Sequence, residues 1–199
     1  MRKLLVILSI ILLGTVCHAE DTVLQAGVTF DWLTITQEQR DQAVEYFKSI
    51  VFDENEIKLD KKGFRTKYAD FLKDENYREN YILASQGIKE TPKYNLSAFQ
   101  TRGGMLIIYA IQYKDNLQNT YYYDALGNLK YVDETSENYP EFPYTTKQYR
   151  ANGSMVAAYY VESKDVQYIY QPDGDFRGIW YKDKMFNQKA KQILTRTNW

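Results

Sequence analysis

Histidine and cysteine each occur once in the 199 residues, as His18 and Cys17, and both lie in a segment whose form marks it for removal. Arg2 and Lys3 precede an unbroken apolar run, Leu4 to Leu13, and Gly14-Thr15-Val16-Cys17-His18-Ala19 follows. A basic start, a short apolar core and small residues before a cut are the order of a secretory signal peptide, and cleavage is predicted after Ala19. A lipid-bearing Cys17 is disfavoured by Gly14-Thr15-Val16, where such sites want leucine further back and glycine or alanine next to the cysteine. The apolar run reaches roughly half the length a spanning helix needs, so no membrane span is expected after cleavage. The compact bacterial form of the signal predicts a periplasmic or secreted protein. Disulfides are chemically permitted there, but the mature chain has no cysteine with which to form one.

These absences remove most catalytic equipment. Without histidine and cysteine, the mature chain cannot assemble a Ser–His–Asp or Cys–His arrangement. Zinc, copper and haem lose their usual ligands, and no cofactor or metal is expected. No serine stands in an S-x-x-K context, and Gly103-Gly104 reads as a bend before a strand, not a phosphate loop. Asp173-Gly174-Asp175 lacks the further spaced acids of a calcium loop and reads as a turn. Excess basic charge is also missing. Without Arg2 and Lys3 the 25 basic residues fall to 23 against 26 acidic ones, which argues against a nucleic-acid partner.

What the chain has in abundance is tyrosine: 19 residues, 14 of them from Tyr109 to Tyr181. Tyrosine suits half-buried strands, with the ring on the sheet and the hydroxyl wet. It also suits a flat aromatic binding surface. Residues 20–93 read as the helical part of one domain. Trp32 is a candidate anchor, and Thr34 or Thr36, each with glutamine three residues on, starts a helix in a capping box. Ala43, Val44, Phe47, Ile50 and Val51 follow at helical spacing until the polar Asp53-Glu54-Asn55. Phe64, Tyr68, Phe71 and Leu72 share a second helical face, then Tyr77, Tyr81 and Ala84, with Gly87 as the stop.

From Tyr94 the period becomes two. Residues 94–199 read as an antiparallel β-sheet with a short C-terminal helix built on Phe186, Ala190, Ile193 and Leu194, and Trp199 able to fold back. Met105 to Tyr113 is apolar on both faces at its start, which predicts a central strand covered by the helices. Strand pairs then flank Ala125-Leu126-Gly127-Asn128, Asn152-Gly153 and Pro172-Asp173-Gly174. The fold class is therefore α+β, with N-terminal helices packed on a C-terminal antiparallel meander of repeated hairpins.

Those three units repeat. Y-Y-D-A-L-G-N-L (122–129), Q-Y-R-A-N-G-S-M (148–155) and I-Y-Q-P-D-G-D-F (169–176) share a tyrosine four residues before glycine and an apolar residue two after it. The first, with Tyr121-Tyr122-Tyr123-Asp124, resembles the tyrosine-aspartate repeats of Rhs-type secreted proteins, and the set resembles the variant MORN repeats of bacterial envelope proteins. Both resemblances cover about residues 120–181 and imply a continuous sheet used as shell or binding scaffold, not as catalyst.

Two functional readings follow. The first is a non-enzymatic envelope module whose sheet offers aromatic surface to an envelope protein or a cell-wall glycan. Its candidate ligand-binding residues are Tyr122, Tyr160, Tyr168, Tyr170, Arg177, Trp180 and Tyr181. Alternation prevents them from all sharing a face, since Trp180 and Tyr181 must oppose each other, so half should belong to the core. The alternative is a carbohydrate-active hydrolase using carboxylates of the 133–141 loop, with Asp133, Glu134, Glu137 and Glu141 as candidates near Tyr139, Phe142 and Tyr144, and Glu137 and Glu141 as its catalytic residues.

Overall fold

The computed structural model describes residues 35–51, 61–101 and 103–195. The predicted signal segment, Trp32, the Asp53-Glu54-Asn55 break and Trp199 lie outside the described residues. Helix α1, Gln37–Val51, begins where the capping box places it. The Gln39 amide donates to Thr36 Oγ1 at 3.3 Å, and the Thr36 amide donates to Gln39 Oε1 at 2.9 Å. Helix α2, Lys61–Lys67, a 3-10 turn at Ala69–Phe71 and helix α3, Tyr77–Ser85, complete the helical part. Gly87 follows α3 at φ 76°, and the Ile88 amide reaches back to Leu83 O, closing the helix end.

The strands are β1 Tyr94–Gln100, β2 Leu106–Tyr113, β3 Asn119–Asp124, β4 Leu129–Thr135, β5 Tyr144–Arg150, β6 Met155–Ser163, β7 Val166–Tyr170, β8 Phe176–Tyr181, β9 Lys184–Phe186 and β10 Gln192–Thr195. They form one sheet in sequence order, each antiparallel to the next. Strand β2 lies second from the edge, not at the centre. The expected C-terminal helix is absent: its residues make the β9–β10 hairpin instead.

The three-unit repeat is a fivefold turn. In each unit the residue three before the glycine donates its amide to the carbonyl one past it, and the glycine amide donates back: Asp124/Asn128/Gly127, Arg150/Ser154/Gly153 and Gln171/Asp175/Gly174. Thr101/Met105/Gly104 and Asn187/Lys191/Ala190 repeat the pattern, with Ala190 at φ 59° in the glycine position. Each turn is followed by a one-residue bulge, at Ile107, Lys130, Val156, Arg177 and Ile193. The repeat tyrosine and the apolar residue two past the glycine are the cross-strand pair closing the hairpin: Tyr123 with Leu129, Tyr149 with Met155, Tyr170 with Phe176.

All described helices pack on the face these tyrosines share. Ala43, Phe47 and Val51, one stripe of α1, cover Ala158, Tyr160, Tyr168, Tyr170, Phe176 and Ile179, with the Phe47 ring stacked on Tyr168 at 4.0 Å. Phe64, Tyr68 and Ala84 cover Tyr109, Tyr121, Tyr123, Val132 and Tyr149. A polar network ties α3 to this half. Asp74 accepts from the Tyr109 hydroxyl at 2.6 Å and from Asn80 Nδ2 at 2.9 Å, while the Tyr94 hydroxyl donates to Asn80. Burial and the Asp74 carboxylate hold the Tyr109 phenol far above its usual range.

Candidate functional site

Strand alternation leaves a second face on which no described helix packs. It carries Tyr122 on β3, Tyr131 and Asp133 on β4, Thr146 and Gln148 on β5, Tyr159 on β6, Ile169 on β7 and Trp180 on β8. At its middle, Asp133 pairs across the ladder with Thr120 on one side and Gln148 on the other. The Tyr122 hydroxyl donates to Asp133 Oδ2 at 2.5 Å, and Gln148 Nε2 donates to Oδ1 at 2.9 Å. One residue pair further along, Thr135 and Thr146 hydroxyls meet at 3.0 Å. Tyr131 stands nearly perpendicular to Tyr122, with ring centroids 6.5 Å apart at 81°, and Phe99 lies 5.8 Å from Tyr122 on the other side.

The electrostatics of this group follow from enclosure. Burial pushes the Asp133 carboxyl up to about 6, against the Tyr122 and Gln148 hydrogen bonds, which favour its ionised form. Burial and the adjoining Asp133 charge raise the Tyr122 phenol well above its usual value. The Tyr159 phenol is pushed up to about 12 by burial and by Asp133, with the Arg177 guanidinium pulling the other way. Both phenols therefore remain donors at any physiological pH. Asp133 itself is only partly screened from solvent, as are Tyr122, Tyr131, Gln148 and Tyr159. The arrangement can accept hydrogen bonds or a positive charge from a ligand laid on the sheet.

The residues expected to bind divide sharply. Tyr122 is on the second face and Trp180 joins it, paired with Gln167 and Met185. Tyr160, Tyr168 and Tyr170 correct the expectation: they are 2%, 0% and 0% exposed, roofed by α1, and belong to the core. Tyr181 faces the helix side and packs against that same core, with the Lys182 ammonium 5.5 Å from its ring. Arg177 is the exposed bulge residue of its hairpin, close enough to Tyr159 to act on its phenol. Glu137 and Glu141 are exposed on the loop after β4, and the hydrogen bonds on Asp133 come from Tyr122 and Gln148. Among the described residues no group of three or more acids, histidines or cysteines could hold a metal.

The sequence offers Asp133 only as one of four candidate hydrolase carboxylates, and nothing in that reading points to Gln148, Tyr131 or Tyr159. Alternation would have found them: once Tyr121 and Tyr123 are taken as core, Tyr122 and its register partners must face the other way. A second enclosed carboxyl, Glu162, lies beside Tyr160 and Tyr168 on the helix side, and burial pushes it up to about 7. Its partners are core residues, so it belongs to the fold's energetics.

No family model matches the chain, and neither a curated protein nor a solved structure matches it. Among the described residues no helix is long and apolar enough to cross a membrane.

Proposed function

We propose that the chain is an exported, non-enzymatic binding module of the bacterial envelope that holds a protein or glycan on the sheet face where no described helix packs. The signal-like first 19 residues support export. The observation that carries the binding half is the Tyr122–Asp133–Gln148 group. A carboxyl oriented by two neutral donors, half-open and framed by rings, stands where no described element covers it. Stability gives no reason to enclose a carboxylate there, because burial penalises its charge. Aromatic faces with a few fixed polar groups are the usual composition of a binding patch. The hydrolase alternative rests on Glu137 and Glu141 and needs them to converge on a substrate.

Cross-linking in the native envelope, pull-down of the mature chain and mass spectrometry test the proposal. One dominant protein or one glycan is expected, lost with Tyr122→Ala and Trp180→Ala and retained with Glu137→Ala and Glu141→Ala. Capture indifferent to the two aromatic substitutions sinks it, and glycan cleavage that disappears with Glu137→Ala or Glu141→Ala replaces it with the hydrolase.

A further inference from the structure

The Asp133 site lies on the sheet face where no described helix packs, and its ligand chemistry rests on the reading of that face as the binding face. We propose that this site receives an organic cation, an alkylammonium group of the ligand, seated on the Asp133 carboxylate between the rings of Tyr122, Tyr131 and Tyr159.

An ionised carboxylate offers about four lone-pair sites. Tyr122 and Gln148 take one on each oxygen, which leaves acceptors on both. Both partners are neutral, so they orient the charge without cancelling it. Among the described residues the ion pairs are Lys48–Glu45, Lys67–Glu134, Lys114–Glu90 and Lys130–Asp124, and none uses Asp133. On the same face the register places Arg150 across from Tyr131 and the bulge residue Arg177 four strands away on β8, and neither forms an ion pair with Asp133. An enclosed charge without a counter-ion is an expensive state, and a ligand cation removes that cost where a neutral hydroxyl only replaces a water. Carboxylate and rings act in the same direction. The faces of aromatic rings carry negative potential and attract ammonium groups within about 6 Å of the centroid, and Tyr122, bonded to the carboxylate, stands nearly perpendicular to Tyr131 on the same face.

Ionisation sets a pH signature. The titratable or charged groups on the same face around Asp133 are Tyr122 on β3, Tyr131 on β4, Arg150 on β5 and Tyr159 on β6, while Arg177, four strands away on β8, acts on Tyr159. Burial and the Asp133 charge keep the Tyr122 and Tyr159 phenols protonated from pH 5 to 8. Asp133 is therefore the group that changes in that range.

The test uses the mature chain, n-butylammonium and its neutral counterpart n-butanol, followed by the Gln148 side-chain amide resonance in 15N-labelled protein. A saturable shift with butylammonium at pH 7.5, at least tenfold weaker with butanol, is expected. A carboxyl titrating near 6 should lose about tenfold in cation affinity at pH 5. Asp133→Asn should abolish the shift. The pH arm on the unaltered chain decides the matter even if that variant folds poorly. Equal shifts with butanol, or a cation shift indifferent to pH, overturn the charge recognition while leaving the face a binding face. No shift with either probe overturns it as well. Loss of the binding-module reading itself is seen separately, as envelope capture that ignores Tyr122→Ala and Trp180→Ala.

Discussion

Two glycines in the same turn should respond very differently to alanine. Gly104 and Gly127 each occupy the fourth position of the repeated hairpin turn, at φ 81° and 73°. Both substitutions force a side chain into the left-handed region, a cost of about 1–2 kcal/mol. Both also restrict the unfolded chain, which returns about 0.4–1 kcal/mol. For Gly104→Ala those two effects are the whole account, because nothing lies within 4 Å of the added methyl, and a net loss of about 1 kcal/mol follows. At Gly127 the new Cβ would stand 2.4 Å from Tyr77 Cβ and 3.0 Å from the Asp74 carbonyl. Tyr77 Cβ is fixed to the backbone of α3, so no rotamer change relieves the contact, and the start of the helix must move. That movement pulls on the Asp74 amide bond to Gly127 O at 2.9 Å and the Leu129 amide bond to Leu72 O at 3.0 Å. Overpacking of this kind adds about 1–3 kcal/mol, for a total of about 3 kcal/mol at Gly127. Urea unfolding of the two variants beside the unaltered protein measures the difference directly. Equal midpoints would refute the reasoning, since only the docking of α3 onto this turn separates the two sites.

The two raised carboxyls make stability fall as pH rises. A carboxyl whose folded value lies above its unfolded one stabilises fully below the unfolded value and loses that contribution through the folded one. The window for Asp133 closes at about 6 and for Glu162 at about 7. At about 1.4 kcal/mol per pH unit each can remove up to about 3 kcal/mol, less for the solvent that still reaches them. Urea midpoints should drop from pH 5 to pH 8, and Glu162→Gln should flatten the upper half of that drop; a protein that gains stability over the range contradicts both assignments. Asp74→Ala should cost about 2–4 kcal/mol, because it strands the Tyr109 hydroxyl and the Asn80 amide in the core. Amide exchange should then accelerate in α3 before the strands, and uniform acceleration would place the network's role elsewhere.

Much of the fold is legible because local signals agree with the tertiary outcome. Thr36 and Gln39 announce the start of α1, and the reciprocal bonds are there. The glycine turns announce the hairpins, and the strands fall around them. The tail misleads for a physical reason. Phe186, Ala190, Ile193 and Leu194 are spaced as one helical face, but Phe186 ends a strand, Ala190 sits in the turn and Ile193 is the bulge. A bulge adds one residue to one strand and shifts the alternation behind it, so a bulged hairpin can imitate helical spacing. No single-residue propensity distinguishes the two. The decisive signal is the recurrence of the same turn geometry, visible only once the other four hairpins are known.

The site was harder to read because tyrosine abundance does not say which face is covered. The repeat signature itself holds the answer. The tyrosine four before each glycine pairs with an apolar residue two after it, and a pair of that kind closes a hairpin on its buried face: Tyr123 with Leu129, Tyr149 with Met155, Tyr170 with Phe176. Selecting Tyr170 and its same-face neighbours Tyr168 and Tyr160 therefore selects core. The residue just before each repeat tyrosine must then point the other way, and those residues are Tyr122, Gln148 and Ile169. Two of these three are the donors that hold Asp133. The repeat thus builds both faces at once. Its tyrosines fasten each hairpin to the helices, and the positions beside them, free of that duty, carry the polar group of the face on which no described helix packs.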